Sequence, residues 1–162
     1  HWGRWRDALG MDGAKAGLFQ RTVDLIGKRL AAYGKAPERF GLLHCDLRLA
    51  NLLIDGQDVK VIDFDDCGFS WYMYDAATTV SFYEHEPHVP ELIESWKKGY
   101  RKVLPLANED EAEIPTFIML RRILLVAWVA SHREAAFPKS LGVEFTDATL
   151  PLCEAYLSRF SG

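Results

Sequence analysis

The sequence is short of several features that would each define a class of protein. Its three cysteines, Cys45, Cys67 and Cys153, include no C-x-x-C spacing and leave an odd one over. That pattern gives no disulfide framework, and reduced thiols in a cytoplasmic protein are expected. A basic excess is missing too, because 19 Lys and Arg stand against 23 Asp and Glu for a net charge of -4. Nucleic-acid or anionic-membrane binding wants a clustered basic field, so neither partner is expected. No uninterrupted apolar run reaches the roughly eighteen residues of a membrane span. The best attempt, Ile114 to Ala130, is broken by Arg121 and Arg122. Residues His1 to Gly13 hold no apolar signal-peptide core, so secretion has no support. Repeats and compositionally biased segments are absent as well. What is there is an ordinary folded composition: 162 residues, 49% hydrophobic and 26% charged. Such a chain suits one domain over residues 1–162 and buries roughly two-thirds of its unfolded surface.

Periodicity organises the chain. Leu18, Phe19, Val23, Ile26, Leu30 and Tyr33 recur at three- and four-residue steps, which predicts a helix over 14–33 stopped by Gly34 and Pro37. A compact β region follows. Leu42-Leu43 leads into a polar loop, and Leu52 to Ile54 and Val59 to Ile62 read as strands joined by the turn signal Asp55-Gly56. Short helices are expected near 74–83 and 90–103. Pro115 is expected to open a core helix that is apolar almost all round and runs to about His132. A last amphipathic helix covers roughly 149–160. The expected fold class is α+β and mostly helical, a hairpin embedded in a helical domain.

Polar residues peak between His44 and Asp75. His44, Asp46, Arg48 and Asn51 occupy a loop before the first hairpin strand, and Asp63, Asp65 and Asp66 follow the second. A hairpin sets the residue before its first strand beside the residue after its second, so Asn51 and Asp63 should be neighbours. Asp46 should point toward the same place. Amide and carboxylate oxygens gathered this way suit a hard divalent cation, most naturally Mg²⁺ completed by phosphate oxygens. A further carboxylate can orient or deprotonate a hydroxyl. The chemistry indicated is metal-assisted group transfer.

The stretch His44-Cys45-Asp46-Leu47-Arg48-Leu49-Ala50-Asn51 fits H-x-D-x-x-x-x-N, and Val61-Ile62-Asp63-Phe64 follows it. Together these motifs resemble the catalytic and metal-binding loops of the protein-kinase-like fold. With the pair Tyr74-Asp75, the finer resemblance is to the aminoglycoside phosphotransferase and choline kinase group of small-molecule kinases. That resemblance spans nearly the whole chain and is sharp from His44 to Asp75. It implies an ATP- and Mg²⁺-dependent transfer of the γ-phosphoryl group to a small hydroxylated acceptor. Asp46 would be the catalytic carboxylate, and Arg48 would contact the transferred phosphoryl. Asn51 and Asp63 would bridge metal to ATP, with Asp65 a further candidate metal ligand in the manner of a D-x-E pair. Leu53 and Ile62 would line the adenine pocket. His44 and Asp75 would support the loop from behind. Cys45 departs from the usual Gly, and Leu49-Ala50 from a common Pro-Gly.

Plainer roles are expected elsewhere. His85 and His88 read as surface residues, since no H-x-x-x-H or H-E-x-x-H spacing exists. Glu109, Asp110, Glu111 and Glu113 read as a solvated helix start. Trp71, Tyr72 and Tyr74 read as core, and Asp66 and Glu84 as surface residues or as attractors for a cationic acceptor. A Gly-rich phosphate loop and a strand Lys paired with a helix Glu are both lacking. The expectation is therefore a C-terminal, acceptor-binding lobe, with an N-terminal nucleotide lobe or a partner completing the ATP site. The lobe alone should be poorly active. A non-catalytic, pseudokinase-like binding module is the alternative, and a carboxylate-metal hydrolase using Asp46, Asp63 and Asp65 a weaker one.

Overall fold

Six α-helices and four short strands are found among the described residues. The computed structural model describes residues 3–161. In chain order the elements are α1 (Gly13–Tyr33), β1 (Phe40–Leu43), β2 (Leu52–Asp55), β3 (Asp58–Val61), β4 (Gly68–Trp71), α2 (Met73–Thr78), α3 (Val89–Tyr100), α4 (Asn108–Ser131), α5 (Ala136–Asp147) and α6 (Leu150–Phe160). The chain divides into two compact units. One holds residues 1–33 and 119–162, the other residues 34–118, and the boundary falls inside α4.

In the first unit α1 packs on α6. Phe19, Ile26 and Tyr33 are buried along α1 at seven-residue steps, and Cys153 and Tyr156 are buried on α6. Gly34 ends α1 in a left-handed conformation (φ 76°) that glycine adopts without a Cβ penalty. Arg122 is fully buried yet satisfied. Its Nε donates to Thr149 Oγ1 at 2.7 Å, its Nη2 donates to the Phe145 carbonyl at 2.9 Å, and its guanidinium lies 3.6 Å over the Phe145 ring. Helix α5 has no counterpart in the periodicity. Pro138 and Gly142 interrupt its pattern, and the backbone leaves helical angles at Gly142 (φ 53°, ψ -150°).

The second unit holds both sheets, each of two antiparallel strands. β1 pairs with β4 in a register that sets Phe40 opposite Trp71 and Leu43 opposite Gly68. β2 pairs with β3, with Leu52 opposite Val61 and Asp55 opposite Asp58. Gly56 (φ 62°) opens the two-residue turn of that hairpin, where the strand twist demands positive φ. Strand β4 was hidden in the sequence by its length and by Gly68. Trp71 anchors it, since its ring stands edge-on to Phe40 at 5.4 Å and its indole N–H donates to the Gly34 carbonyl at 2.6 Å.

Helix α4 begins at Asn108 rather than at Pro115, which lies inside it. A proline there costs one backbone bond. The turns before it are held from outside. Arg39 pairs with Glu109 and, at 3.1 Å, with Asp110, while Glu111 accepts from Lys97 at 2.6 Å and from Arg101. The acids also sit where the helix dipole favours them. By length and composition α4 could cross a membrane, but 67% of its most apolar window is buried inside the protein.

Candidate active site

The loop from His44 to Asn51 leaves β1 and enters β2 through a single 3-10 turn over Leu49–Asn51. Its backbone N–H groups cannot join a ladder, so each needs another partner. The Asp75 carboxylate on α2 takes two of them, His44 N at 3.2 Å and Cys45 N at 2.9 Å. Asp46 N donates to His44 Nδ1 at 3.3 Å, and Leu47 N donates to Thr78 Oγ1 at 3.0 Å. Arg48 N then closes onto the Asp46 carbonyl at 2.8 Å.

The imidazole of His44 joins the loop to the hairpin. Because Nδ1 accepts from Asp46, Nε2 carries the proton and donates to the Ile62 carbonyl at 3.0 Å. The ring also lies 4.7 Å from that of Phe64. His44 is thus a buried brace.

Asp46 and Asn51 are both buried. Asp46 Oδ2 accepts from Arg48 Nε and from Asn51 Nδ2, each at 2.9 Å. The same Asn51 nitrogen donates to the Asp46 carbonyl at 2.9 Å. With its nitrogen committed twice, the Asn51 amide offers its oxygen as the atom for a cation. The hairpin carries its ladder one step beyond the strands, with Ile62 N donating to the Asn51 carbonyl at 3.0 Å. Asn51 therefore lies beside Ile62, and Asp63 comes next in the chain.

Asp63, Asp65 and Asp66 are exposed after β3. Asp63 takes a left-handed backbone (φ 66°), and so does Cys45 (φ 65°). Non-glycine residues held there carry strain of about 1–3 kcal/mol. The Cys45 thiol reaches the Gly68 carbonyl at 3.6 Å, and burial, followed by the neighbouring Asp75 charge, pushes its pKa up. The thiol is thus poorly suited as a nucleophile. Leu53 and Ile62 share one face of the hairpin by register, and both are exposed. His85 is exposed beside Glu86 at 3.6 Å, and His88 is exposed.

Among the described residues no three His, Cys, Asp or Glu side chains are arranged to hold a metal ion. The donors this loop can offer are mixed, the Asn51 amide oxygen and the Asp63 carboxylate. Such a hard-oxygen pair fits Mg²⁺, which keeps few protein ligands and fills its shell with water or phosphate.

Sequence reasoning missed Thr78. Nothing in the pair Thr78-Thr79 at the end of a short helix marks the first of them as a partner of a residue thirty-one positions earlier.

The model of a phosphotransferase enzyme family matches residues 3–114. This chain belongs to that family. Among curated proteins, the chain is similar to amicoumacin kinase of Bacillus subtilis (strain 168), with 28% identity over 117 residues that cover 67% of this chain and 34% of the relative. Among solved structures it is similar to a microcompartment-associated aminopropanol kinase, with a TM-score of 0.91, 46% identity, and coverage of 98% of this chain and 50% of the other. An amicoumacin kinase in complex with AMP-PNP, Ca²⁺ and Ami shares the fold, with a TM-score of 0.68 and 24% identity over 87% of this chain and 46% of that one. The chain thus spans about a third to a half of the length of these relatives. Its mostly helical fold with small sheets is that of these kinases.

Proposed function

We propose that the protein containing this chain is an ATP- and Mg²⁺-dependent kinase that transfers the γ-phosphoryl group to the hydroxyl of a small molecule. The observation that carries this reading is the Asp46 carboxylate, buried and held on Oδ2 by both Arg48 and Asn51. A carboxylate oriented in this way can accept the proton of an acceptor hydroxyl as it attacks phosphorus. Arg48, half-exposed beside it, is placed to exchange its bond to Asp46 for a phosphoryl oxygen. Asn51 and Asp63, with Asp65 as a third donor, would hold the cation, whose charge would offset that of the phosphates. Leu53 and Ile62 would receive the adenine. His44 and Asp75 would keep the loop in register.

The acceptor class favoured is an amino alcohol, supported by the 46% identity to an aminopropanol kinase over nearly the whole chain. The acidic net charge of -4 supports a cationic small molecule over nucleic acid or membrane, and three free cysteines support a cytoplasmic setting. The remaining length of the relatives supports a further lobe or partner completing the nucleotide site.

The test is ATP turnover by the full-length protein against amino alcohols, sugars and aminoglycosides, for wild type, Asp46→Ala and Asp63→Ala. Loss of turnover in both variants is expected, and full turnover in both would sink the assignment. No phosphoryl transfer to any acceptor, together with no Mg²⁺-dependent ATP binding by calorimetry, would favour the non-catalytic binding module instead.

A further inference from the structure

We infer that Thr78 is a positioning residue for phosphoryl transfer, setting the peptide plane between Asp46 and Leu47 and through it the metal-facing Asn51. The inference rests on the kinase reading above and extends it to a helix residue with no place among the motifs.

The Thr78 hydroxyl is fully buried on α2, so both of its capacities need partners. It donates to the Asp75 carbonyl three residues earlier at 2.9 Å, which fixes the direction of its proton. Its lone pairs then face the loop, where they accept Leu47 N–H at 3.0 Å. Leu47 N and the Asp46 carbonyl belong to one rigid peptide unit. Fixing the nitrogen therefore fixes the carbonyl, and that carbonyl receives Asn51 Nδ2 at 2.9 Å and Arg48 N at 2.8 Å. The Asn51 amide is aimed by this carbonyl together with Asp46 Oδ2.

Helix α2 thus holds the loop at three N–H groups. Asp75 holds His44 and Cys45, on the side before Asp46, and Thr78 holds Leu47, on the side after it. Asp75 alone would leave the second peptide plane to rotate, and the left-handed Cys45 gives the loop reason to relax. A rotation there moves the carbonyl that aims the Asn51 amide. The expected effect is on turnover and metal requirement rather than on acceptor binding.

The experiment uses the full-length protein, with turnover measured on ATP and an amino alcohol while Mg²⁺ is varied. Thr78→Val keeps the volume and removes the hydroxyl. Its turnover is expected to fall roughly 10- to 100-fold, with a higher Mg²⁺ midpoint and an acceptor KM within about two-fold of wild type. Thr78→Ser keeps the hydroxyl and should recover most of the lost turnover. The inference is overturned if Thr78→Val keeps its turnover and Mg²⁺ midpoint, if Thr78→Ser is equally impaired, or if only acceptor KM changes. Should Thr78→Val not fold, hydrogen exchange of the wild-type protein decides. Protection of the Leu47 amide matching that of His44 and Cys45 supports the inference, and fast exchange at Leu47 overturns it. Full turnover in Asp46→Ala would remove the kinase reading itself, whatever the Leu47 amide shows.

Discussion

Asn51 is joined to Asp46 twice, its amide nitrogen standing 2.9 Å from Oδ2 and 2.9 Å from the carbonyl of the same residue. One side chain thus fixes the direction of a carboxylate and the shape of the loop that carries it. Asn51→Ala removes both bonds and leaves buried Asp46 acceptors without that donor, at a cost of about 1–3 kcal/mol. Turnover should fall roughly 100-fold or more, since misplacement on this scale is enough to do so. Thermal melts and steady-state rates on the full-length protein check both. A variant with wild-type turnover would show that the pairing does not serve the reaction.

Cys45 gives a prediction of sign rather than size. Its left-handed backbone (φ 65°) suits glycine, the residue usual at this position in the resembling kinases. Cys45→Gly relieves strain of about 1–2 kcal/mol but loses thiol packing and adds unfolded-state entropy of about 0.5–1 kcal/mol. Its stability should lie within about 1 kcal/mol of wild type. Cys45→Val forces a β-branched residue into the same region and should cost more than about 2 kcal/mol. Urea midpoints for the two variants separate the cases, and equal midpoints would mean that the strain is not felt.

What was legible in the sequence followed from periods and turns that act over a few residues. Helix α1 and its stop at Gly34 were readable because the apolar steps and the glycine sit in one stretch. The hairpin was readable from Asp55-Gly56; it set Asn51 beside Asp63 in expectation, and the ladder sets Asn51 opposite Ile62, one residue earlier. Strand β4 was not, because four residues containing Gly68 make no alternating pattern and gain meaning only beside β1. The early start of α4 was hidden for the opposite reason. Pro115 is a strong local signal, outweighed by Arg39, Lys97 and Arg101 reaching its first turn from elsewhere in the unit. Thr78 shows the same limit at the site, since its partner lies thirty-one residues away.

The acidic start of α4 predicts a pH dependence. Hydrogen bonds from Lys97 and then Arg101 hold the Glu111 carboxyl below its ordinary value of 4.5. Bonds to Glu111 and then Glu94 hold the Lys97 ammonium above its ordinary 10.5. A lowered acid contributes stability that is complete above its unfolded pKa and is lost as pH falls through the folded one. A raised base contributes stability that is complete below its unfolded pKa and is lost as pH rises through the folded one. The gap in melting temperature between wild type and Glu111→Gln should therefore be widest between about pH 6 and 9. It should close on the acid side below pH 4.5 and narrow on the alkaline side above pH 10.5. A gap constant from acid to alkali would assign the difference to packing rather than charge.

Asp75 supplies the sharpest separation of fold from function. Its two oxygens accept two successive N–H groups, His44 on Oδ2 and Cys45 on Oδ1. Asparagine offers one oxygen and one NH₂, so in either amide orientation one backbone donor meets another donor. Asp75→Asn should cost about 1–3 kcal/mol. For a chain of this size that lowers the melting temperature by several degrees, at about 2–4 °C per kcal/mol. Asp75→Ala removes both acceptors and should cost more. The loss should be local, because Thr78 still holds Leu47 from the same helix. Hydrogen exchange should therefore quicken at His44 and Cys45 before it quickens at Leu47, with turnover falling alongside. Exchange that rises uniformly along the loop would mean that Asp75 and Thr78 act as one clamp rather than two.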